Sequence, residues 1–433
     1  MLSALSIDNT PESAHELLLK IEHWSDLINP YPGRHKIYPN EELTLDVKEV
    51  TREDLTHIKS FAIDNSDSSE ADDAISLDGE TVWIHIADVA SKVVSGSELD
   101  KYAQKRASNL YLPDQTIQML PDDLSTFCSL GESEKSSAVS IGFRMIDYQI
   151  SDINIFQSEI KVVKMSYEEA DQALKEDQDL SKLYILSKSH KAFRNNHGAI
   201  KLDLPNVDVK LKNNKVKIKV QTESESRQLV AEMMVIAGRV IAQYATENNI
   251  SMPFLTQEVG SFSEEIMQNK ENLTATQTFQ ATRCFKQSKI TPKASLHAGL
   301  GLSSYVRVTS PIRRYLDLLV QQQLVRFINN QTTLDDAQIK QRITQFNTVI
   351  SRVNKATRQS IEHFKCLFLK QNNKWRGKGI IVDLNDNKAT VLIPEIAMVV
   401  QIKLKSKAQL EDEIELKTVS INLENRLIDF KPL

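Results

Sequence analysis

Cysteine is scarce in this sequence: three residues in 433, at Cys128, Cys284 and Cys366, far apart and without paired metal-ligand spacing. That removes a cysteine-bound metal centre and suits a reducing, intracellular compartment, so a cytoplasmic location is expected. No apolar run is long enough to span a bilayer, and no membrane is expected. The first twenty residues (MLSALSIDNTPESAHELLLK) lack the basic start and apolar stretch of a secretory signal. Internal repeats and low-complexity tracts are absent. There is no excess of positive charge either: the formal net charge of -5 argues mildly against a nucleic-acid partner. Net charge is a sum, however, and a binding path needs only a local basic lining.

With 41% hydrophobic and 26% charged residues, the chain can bury a core as one large domain with accessories or as two to three domains. Thr10-Pro11-Glu12-Ser13 is a helix start. Leu17, Leu18, Leu19, Ile21, Trp24 and Leu27 give it an apolar face, and Asn29–Gly33 (NPYPG) ends it as a linker. Val82–Ile86 reads as a buried strand. Val209–Val220 alternates apolar and lysine residues around Asn213-Asn214, a hairpin pattern. Arg227–Thr246 is apolar on most faces and reads as a buried helix. Pro311–Ile328 carries Ile312, Leu316, Leu319, Leu324 and Phe327 at helical spacing. A helix rich in Lys and Arg follows over Asp336–Leu369, broken at Asn372-Asn373. Gly379–Asp383, Lys388–Ile393, Val399–Leu404, Glu413–Ser420 and Arg426–Phe430 read as five short strands, which suggests a small OB-type barrel. The expected division is 1–48, a short helical and linker segment; 49–371, a mixed α/β domain; and 372–433, the barrel, giving an α+β fold.

The strongest chemical signal is Phe61–Ser76, where Asp64, Asp67, Glu70, Asp72 and Asp73 fall within ten positions, bracketed by Phe61, Ile63, Ala71, Ala74 and Ile75. Carboxylates crowded into a partly buried place raise each other's pKa. A divalent cation removes that penalty, and an all-oxygen set suits Mg²⁺. An acidic surface loop is the alternative reading of acid density alone. A calcium loop would need a glycine turn and a late glutamate at fixed spacing, and neither is present.

The wording Ile63-Asp64 then Glu70–Ala74 (EADDA) resembles the signature of the ribonuclease II and ribonuclease R superfamily. Other blocks resemble that family in the same order: Val82–Val89 (VWIHIADV); Tyr111–Pro113 with Met119–Pro121 and Leu124–Leu130; Tyr167–Ala170 (YEEA); His197–Ile200 (HGAI); Leu229–Met234 (LVAEMM); His297–Leu302 (HAGLGL) and Thr309–Asp317 (TSPIRRYLD). The resemblance implies an RNB-type catalytic domain and a 3′-to-5′ exoribonuclease that releases nucleoside monophosphates from single-stranded RNA with a free 3′ end. It implies Mg²⁺ held at Asp64, Glu70, Asp72 and Asp73, with Arg313 completing the catalytic set. Tyr111, Arg314 and Tyr305 are the expected RNA contacts, Tyr111 packing on the last base. It also implies a short form, in which two front barrels are missing and the Pro11–Leu27 helix stands in their place. No protein partner is specified.

The family usually has aspartate at the position of Glu70, an aromatic near Leu202, an arginine after Pro253 and a second acid where Ala231 stands beside Glu232. Its late functional glutamate does not align clearly on the basic helix that holds Arg352, Lys355, Arg358, Glu362 and Lys365. Thr309-Ser310-Pro311 is expected to begin a helix, with Arg313 and Arg314 in a first turn that favours a bound anion. The alternative for Arg313 is a pair with Asp317 one turn on; between the two arginines the family pattern favours Arg313 for the phosphate. His85 and Asp88 read as structural groups of a strand end, and His297–Gly301 as a tight turn. Lys374, Arg376, Lys378, Lys403, Lys405 and Lys407, with the Lys210–Lys219 hairpin, offer basic edges to a phosphate chain. Two other functions fit the same residues: a catalytically weak or inactive RNA-binding protein on this scaffold, and a metal-dependent phosphatase for small esters.

Overall fold

A computed structural model describes residues 2–5, 7–39, 50–66, 68, 70–404 and 407–433. Asp67, Lys405 and the expected boundary at 48/49 lie outside or at the edge of the described residues. The first helix, α1 (Pro11–Lys20), is capped by Thr10, whose hydroxyl accepts from Ser13 N at 3.1 Å. It ends at Lys20, short of the expected length. The stretch read as a linker instead makes a helical turn, α2 (Tyr31–Arg34), because Tyr31 is fully buried there. Arg34 and Arg426 lie over the Tyr31 ring at 5.1 and 5.0 Å, and Arg426 Nη1 donates to its hydroxyl at 3.0 Å.

The next elements are β1 (Glu53–Asp64), β2 (Asp73–Asp78), β3 (Thr81–Ala87), α3 (Glu98–Arg106), β4 (Leu110–Tyr111), β5 (Thr116–Ile117), α4 (Asp122–Cys128), β6 (Ser136–Ile146) and β7 (Gln149–Ser166). Strands β1-β2-β3-β6-β7 form a closed barrel. All its pairings are antiparallel except the closing one, in which β7 runs parallel to β1 and sets Ser166 opposite Asp64. Each strand gives one side chain to a buried polar chain: Ser60, Ser76, His85, Ser140 and Ser158, with His85 bonded to Ser76 at 2.7 Å and to Ser140 at 2.6 Å. Burial pushes the His85 imidazole down to about 3, so it stays neutral. His85 is therefore structural, in mid-strand rather than at an end.

Helices α5 (Tyr167–Ala173) and α6 (Gln178–Asn196), the hairpin β8 (Val207–Lys212) and β9 (Lys215–Val220), and α7 (Glu225–Glu247) follow. Asn213 and Asn214 take positive φ, the geometry a two-residue hairpin needs. By length and composition α7 is apolar enough to cross a membrane, contrary to the sequence reading. Its Leu229, Met233, Ile236, Val240 and Ile241 are buried against the barrel's Ile75, Ile84 and Ile86, as a core helix's would be. After β10 (Phe254–Thr256), α8 (Glu264–Gln268), α9 (Ala275–Cys284) and β11 (Lys289–Thr291) come α10 (Tyr315–Ile328) and the long α11 (Asp336–Gln371). Helix α10 starts at Tyr315, not Pro311, because Arg314 is held extended in a bridge with Ser108. The buried residues Ile339, Ile343, Phe346, Val353 and Ala356 of α11 recur at helical spacing and face the mixed α/β domain; Phe364, Leu367 and Leu369 pack toward the hairpin and the last domain.

The last domain has β12 (Arg376–Asn385), β13 (Lys388–Ile393), β14 (Met398–Lys403), β15 (Glu413–Asn422) and β16 (Leu427–Pro432), ordered β14-β13-β12-β15-β16 and antiparallel throughout. The first strand lies central and the edge strands approach each other, the plan of a five-stranded, partly open OB-type barrel. All five strands expected from the sequence are present.

Candidate active site

The acids are gathered where β1 ends and β2 begins. Asp64 closes β1; Asp72 precedes β2 and Asp73 opens it, opposite Ile86 of β3. The two strands run antiparallel, so the loop that joins them returns its second end beside the first. Asp64 is held by neutral donors, with Asn65 N and Ser68 Oγ each 2.7 Å from its oxygens.

Asp72 is the most confined. Its side chain is 1% exposed; Oδ1 accepts from Ile312 N at 3.0 Å and Oδ2 lies 2.9 Å from Arg313 Nε. That approach does not satisfy hydrogen-bond geometry, and Asp72 Oδ2 is left without a hydrogen-bond partner. Burial, then the charge of Asp73, pushes Asp72 up to about 7 against the pull of Arg313. Burial and Asp64 push Asp73 up to about 6, again opposed by Arg313. Burial works against the Arg313 charge, but Asp72, Tyr111 and Asp73 outweigh it and raise its pKa, so it stays a cation.

The Thr309–Arg314 segment is not the anion-ready helix start expected of it. Ser310 N donates to Asp317 Oδ1 at 3.0 Å, Ile312 N to Asp72, and the amides of Arg313 and Arg314 to Ser310 O. Arg314, at the N-cap of α10, pairs with Asp317 at 2.5 Å and reaches Thr309 Oγ1 at 3.4 Å. The Asp317 pairing expected as the alternative for Arg313 therefore belongs to Arg314, and Arg313 is the one turned to the acids.

Glu70 shares the field of Arg313 with Asp72 and Asp73, but its hydrogen bonds go to amides. Its carboxylate accepts from Gln118 Nε2 at 2.6 Å and Asn109 Nδ2 at 3.4 Å, and burial raises its pKa. Tyr111, on β4, has half its surface exposed while its hydroxyl is 3.2 Å from Asn109 Nδ2. Tyr305 packs on α7, where a Cβ added to Gly238 would meet its ring at 2.3 Å; it lies in the field of Arg314 and Asp317. Among the described residues no three His, Cys, Asp or Glu side chains are gathered closely enough, as they stand, to hold a metal ion. The donor chemistry nonetheless fits one hard cation: an orphaned, buried Asp72 oxygen, two carboxyls raised by burial and by neighbouring carboxylates, and Asp64 held only by neutral donors.

Several neighbours escaped the sequence reading. Arg227 lies 3.9 Å over the Tyr167 ring and donates to Asn65 Oδ1 at 2.7 Å, bordering Asp64. Asn109 and Gln118 lie in irregular chain where no periodicity marks them. Glu232 is a buried paired acid: it accepts from His190 Nδ1 and from Arg194 Nε at 2.7 Å, and Arg194 Nη1 continues to Leu300 O at 3.2 Å. His297–Gly301 is the tight turn expected, with Gly301 at φ +64 where a Cβ would meet Arg194 O at 2.4 Å. Asp88 pairs with Arg52 at 2.7 Å. Leu202 packs with Ile200 and Ile266, and Phe254 enters the main core. Glu362 pairs with Arg426 at 3.3 Å, and Lys365 donates to Ala397 O at 2.8 Å, so both join α11 to the barrel. On the basic edges, Lys378 is paired with Glu413 and Lys210 with Asp208.

Comparison with known proteins matches residues 52–330 to the RNB domain. An uncharacterised ribonuclease of Synechocystis sp. is 28% identical over 100% of this chain and 69% of its own length; a chloroplastic/mitochondrial ribonuclease II of Arabidopsis thaliana and a ribonuclease R of Chlamydia pneumoniae are each covered over 58%. The chain thus spans between roughly half and two thirds of these relatives. Mycoplasma genitalium RNase R, solved with ribose-methylated single-stranded RNA, superposes with a TM-score of 0.77 at 19% identity, over 99% of this chain and 79% of that one. Yeast Ssd1, a pseudonuclease, superposes at 0.68 and 19% identity, over 81% of this chain and 50% of that one.

Proposed function

This chain belongs to the RNB domain family, and from that premise we propose that it is a metal-dependent 3′-to-5′ exoribonuclease, hydrolysing single-stranded RNA to nucleoside 5′-monophosphates. The observation that carries the reading is the convergence of Asp72 and Asp73, with Asp64 beside Asp73, on one cation, Arg313, delivered from the far end of the domain. Asp64, Asp72 and Asp73 would hold Mg²⁺. When bound, the ion supplies positive charge to the scissile phosphate and eases ionisation of the attacking water.

The chain's own residues do the rest. Arg313, fixed beside Asp72, presents its remaining guanidinium donors to the non-bridging oxygens, where charge grows in the transition state. Arg314 locks the 309–313 turn through Asp317 and so positions Arg313. The open face of Tyr111 stacks the terminal base without choosing among bases, which suits stepwise removal of any nucleotide. Basic edges on the hairpin and the OB-type barrel would draw in the upstream phosphates.

One observation favours a second reading, an RNA-binding protein that does not cut: the carboxylates are not drawn together as they stand, and Glu70 is bonded to amides instead. RNA labelled at its 5′ end, incubated with and without Mg²⁺, decides between them. A ladder shortening from the 3′ end, abolished by chelation and by Asp73→Asn, supports the enzyme. Binding without any shortening overturns it, and release of free phosphate from small esters with intact RNA points to a phosphatase.

A further inference from the structure

Glu70 sits in the carboxylate segment, yet its contacts run the other way, toward the aromatic. Asn109 is the hub. Its Oδ1 accepts from Met119 N at 2.6 Å, which fixes the amide orientation. Its Nδ2 then faces Gln118 Oε1, Tyr111 Oη at 3.2 Å and Glu70 Oε2 at 3.4 Å. Gln118 closes the circuit through Nε2 to Glu70 Oε1 at 2.6 Å. The main chain of Asn109 donates to Arg313 O at 3.0 Å, so the same residue ties the aromatic to the phosphate-facing arginine.

The backbone leading into this hub is strained. Ala107 takes φ +64 and ψ -41 with Ser108 N bonded to Arg106 O at 2.8 Å, a tight γ-turn that a Cβ-bearing residue rarely adopts. The surroundings hold it there: Tyr315 N donates to Ala107 O at 2.9 Å and Ser108 pairs with Arg314. Strain kept in this way marks a segment whose placement matters. The Tyr111 ring is half exposed on a two-residue strand, and its hydroxyl lies between Asn109 Nδ2 and the Arg313 guanidinium.

We propose that Glu70 is a positioning residue for the RNA 3′ end rather than a metal ligand: with Asn109 and Gln118 it forms an amide–carboxylate clamp that fixes the Tyr111 ring as the platform for the terminal base. The clamp rests on the RNA-processing reading above. The extra methylene of glutamate, compared with aspartate, lets the carboxylate reach the amides. Nδ2 has two hydrogens for three acceptors, so Glu70 and Gln118 together set how firmly the Tyr111 hydroxyl is held.

The test is RNA affinity in EDTA, measured by fluorescence anisotropy, for short single strands whose 3′-terminal nucleotide either carries a base or is abasic. The wild type should prefer the intact end by about fivefold or more, the range expected for one stacked base. Glu70→Ala, Asn109→Ala and Tyr111→Ala should each bring that ratio toward one, and Glu70→Ala should add nothing in a Tyr111→Ala background. Glu70→Asp keeps the charge and the volume nearly intact but withdraws the carboxylate from the amides; it should also lose the preference, whereas a metal ligand would leave metal-free binding untouched. A wild-type ratio of fivefold that survives in Glu70→Ala, Glu70→Asp and Asn109→Ala overturns the clamp alone. A wild-type ratio near one overturns it together with the reading it rests on.

Discussion

Arg313 Nε lies 2.9 Å from Asp72 Oδ2, and each residue makes the other tolerable: the guanidinium limits how far burial raises the carboxyl, and the carboxylates keep the guanidinium charged. Nε faces Asp72 while Nη2 donates to Ser310 Oγ at 3.2 Å, so the protein directs two of the three guanidinium nitrogens. Arg313 is a cation held by one edge and offered by the other.

Removing that cation should be costly for chemistry. Arg313→Ala is expected to lower the single-turnover rate by about 10²–10³, the usual scale for losing one donor to transition-state charge. Arg313→Lys should recover little, because an ammonium is a compact point charge and cannot lie against Asp72 along one edge while offering forked donors to a phosphate along the other. Rates measured at saturating RNA separate this from weaker binding.

The raised carboxyls have a consequence for pH. Asp72 and Asp73 sit at about 7 and about 6 in the folded chain against an ordinary 3.8, so the folded state binds more protons between those values. Their effect is therefore to lower stability as pH rises from about 4 to about 7 in the metal-free protein. Melting in EDTA should show this fall, and Asp72→Asn should flatten it. Added Mg²⁺, which competes with the protons, should raise Tm more at about pH 8 than at about pH 5.5.

Gly238 lies where a Cβ would be 2.3 Å from both the Tyr305 ring and Val306 O. Gly238→Ala should cost about 1–3 kcal/mol through overpacking, read from the urea midpoint. It should also displace Tyr305, so RNA affinity falls if that ring lines the path.

Glu232→Ala would leave Arg194 and His190 buried beside an empty space. A loss of about 3–5 kcal/mol is expected in denaturant unfolding, and a much smaller one for Glu232→Gln, which keeps acceptor and volume. Equal losses in the two variants would show that the negative charge, rather than the acceptor and the volume, is what Glu232 contributes.

Much of the architecture was readable in advance where burial imposes a period. The five strands of the last domain, the Asn213-Asn214 hairpin and α7 announce themselves by alternation or by an apolar stripe. What was not readable depended on partners distant in sequence. Tyr31 becomes helical because α11 and Arg426 enclose it. Residues 311–314 stay outside α10 because Arg314 is drawn into an extended bridge with Ser108, a partner distant in sequence. In the site, acid density and family wording pointed to the loop between β1 and β2, but not to the contacts of Glu70 or to Asn109, Gln118 and Arg227. Those are set by amides and guanidinium groups in irregular chain, which leave no pattern to read.

The parallel pairing of β1 with β7 also orders events during synthesis. Strand β1 cannot close the barrel until Ser166 has emerged, and the acids at its end meet Arg313 only much later still. At about 5–20 residues per second, the ribosome separates Asp72 from Arg313 by on the order of tens of seconds. For that interval the nascent chain carries the acids of the β1–β2 loop without the guanidinium that faces them in the folded domain.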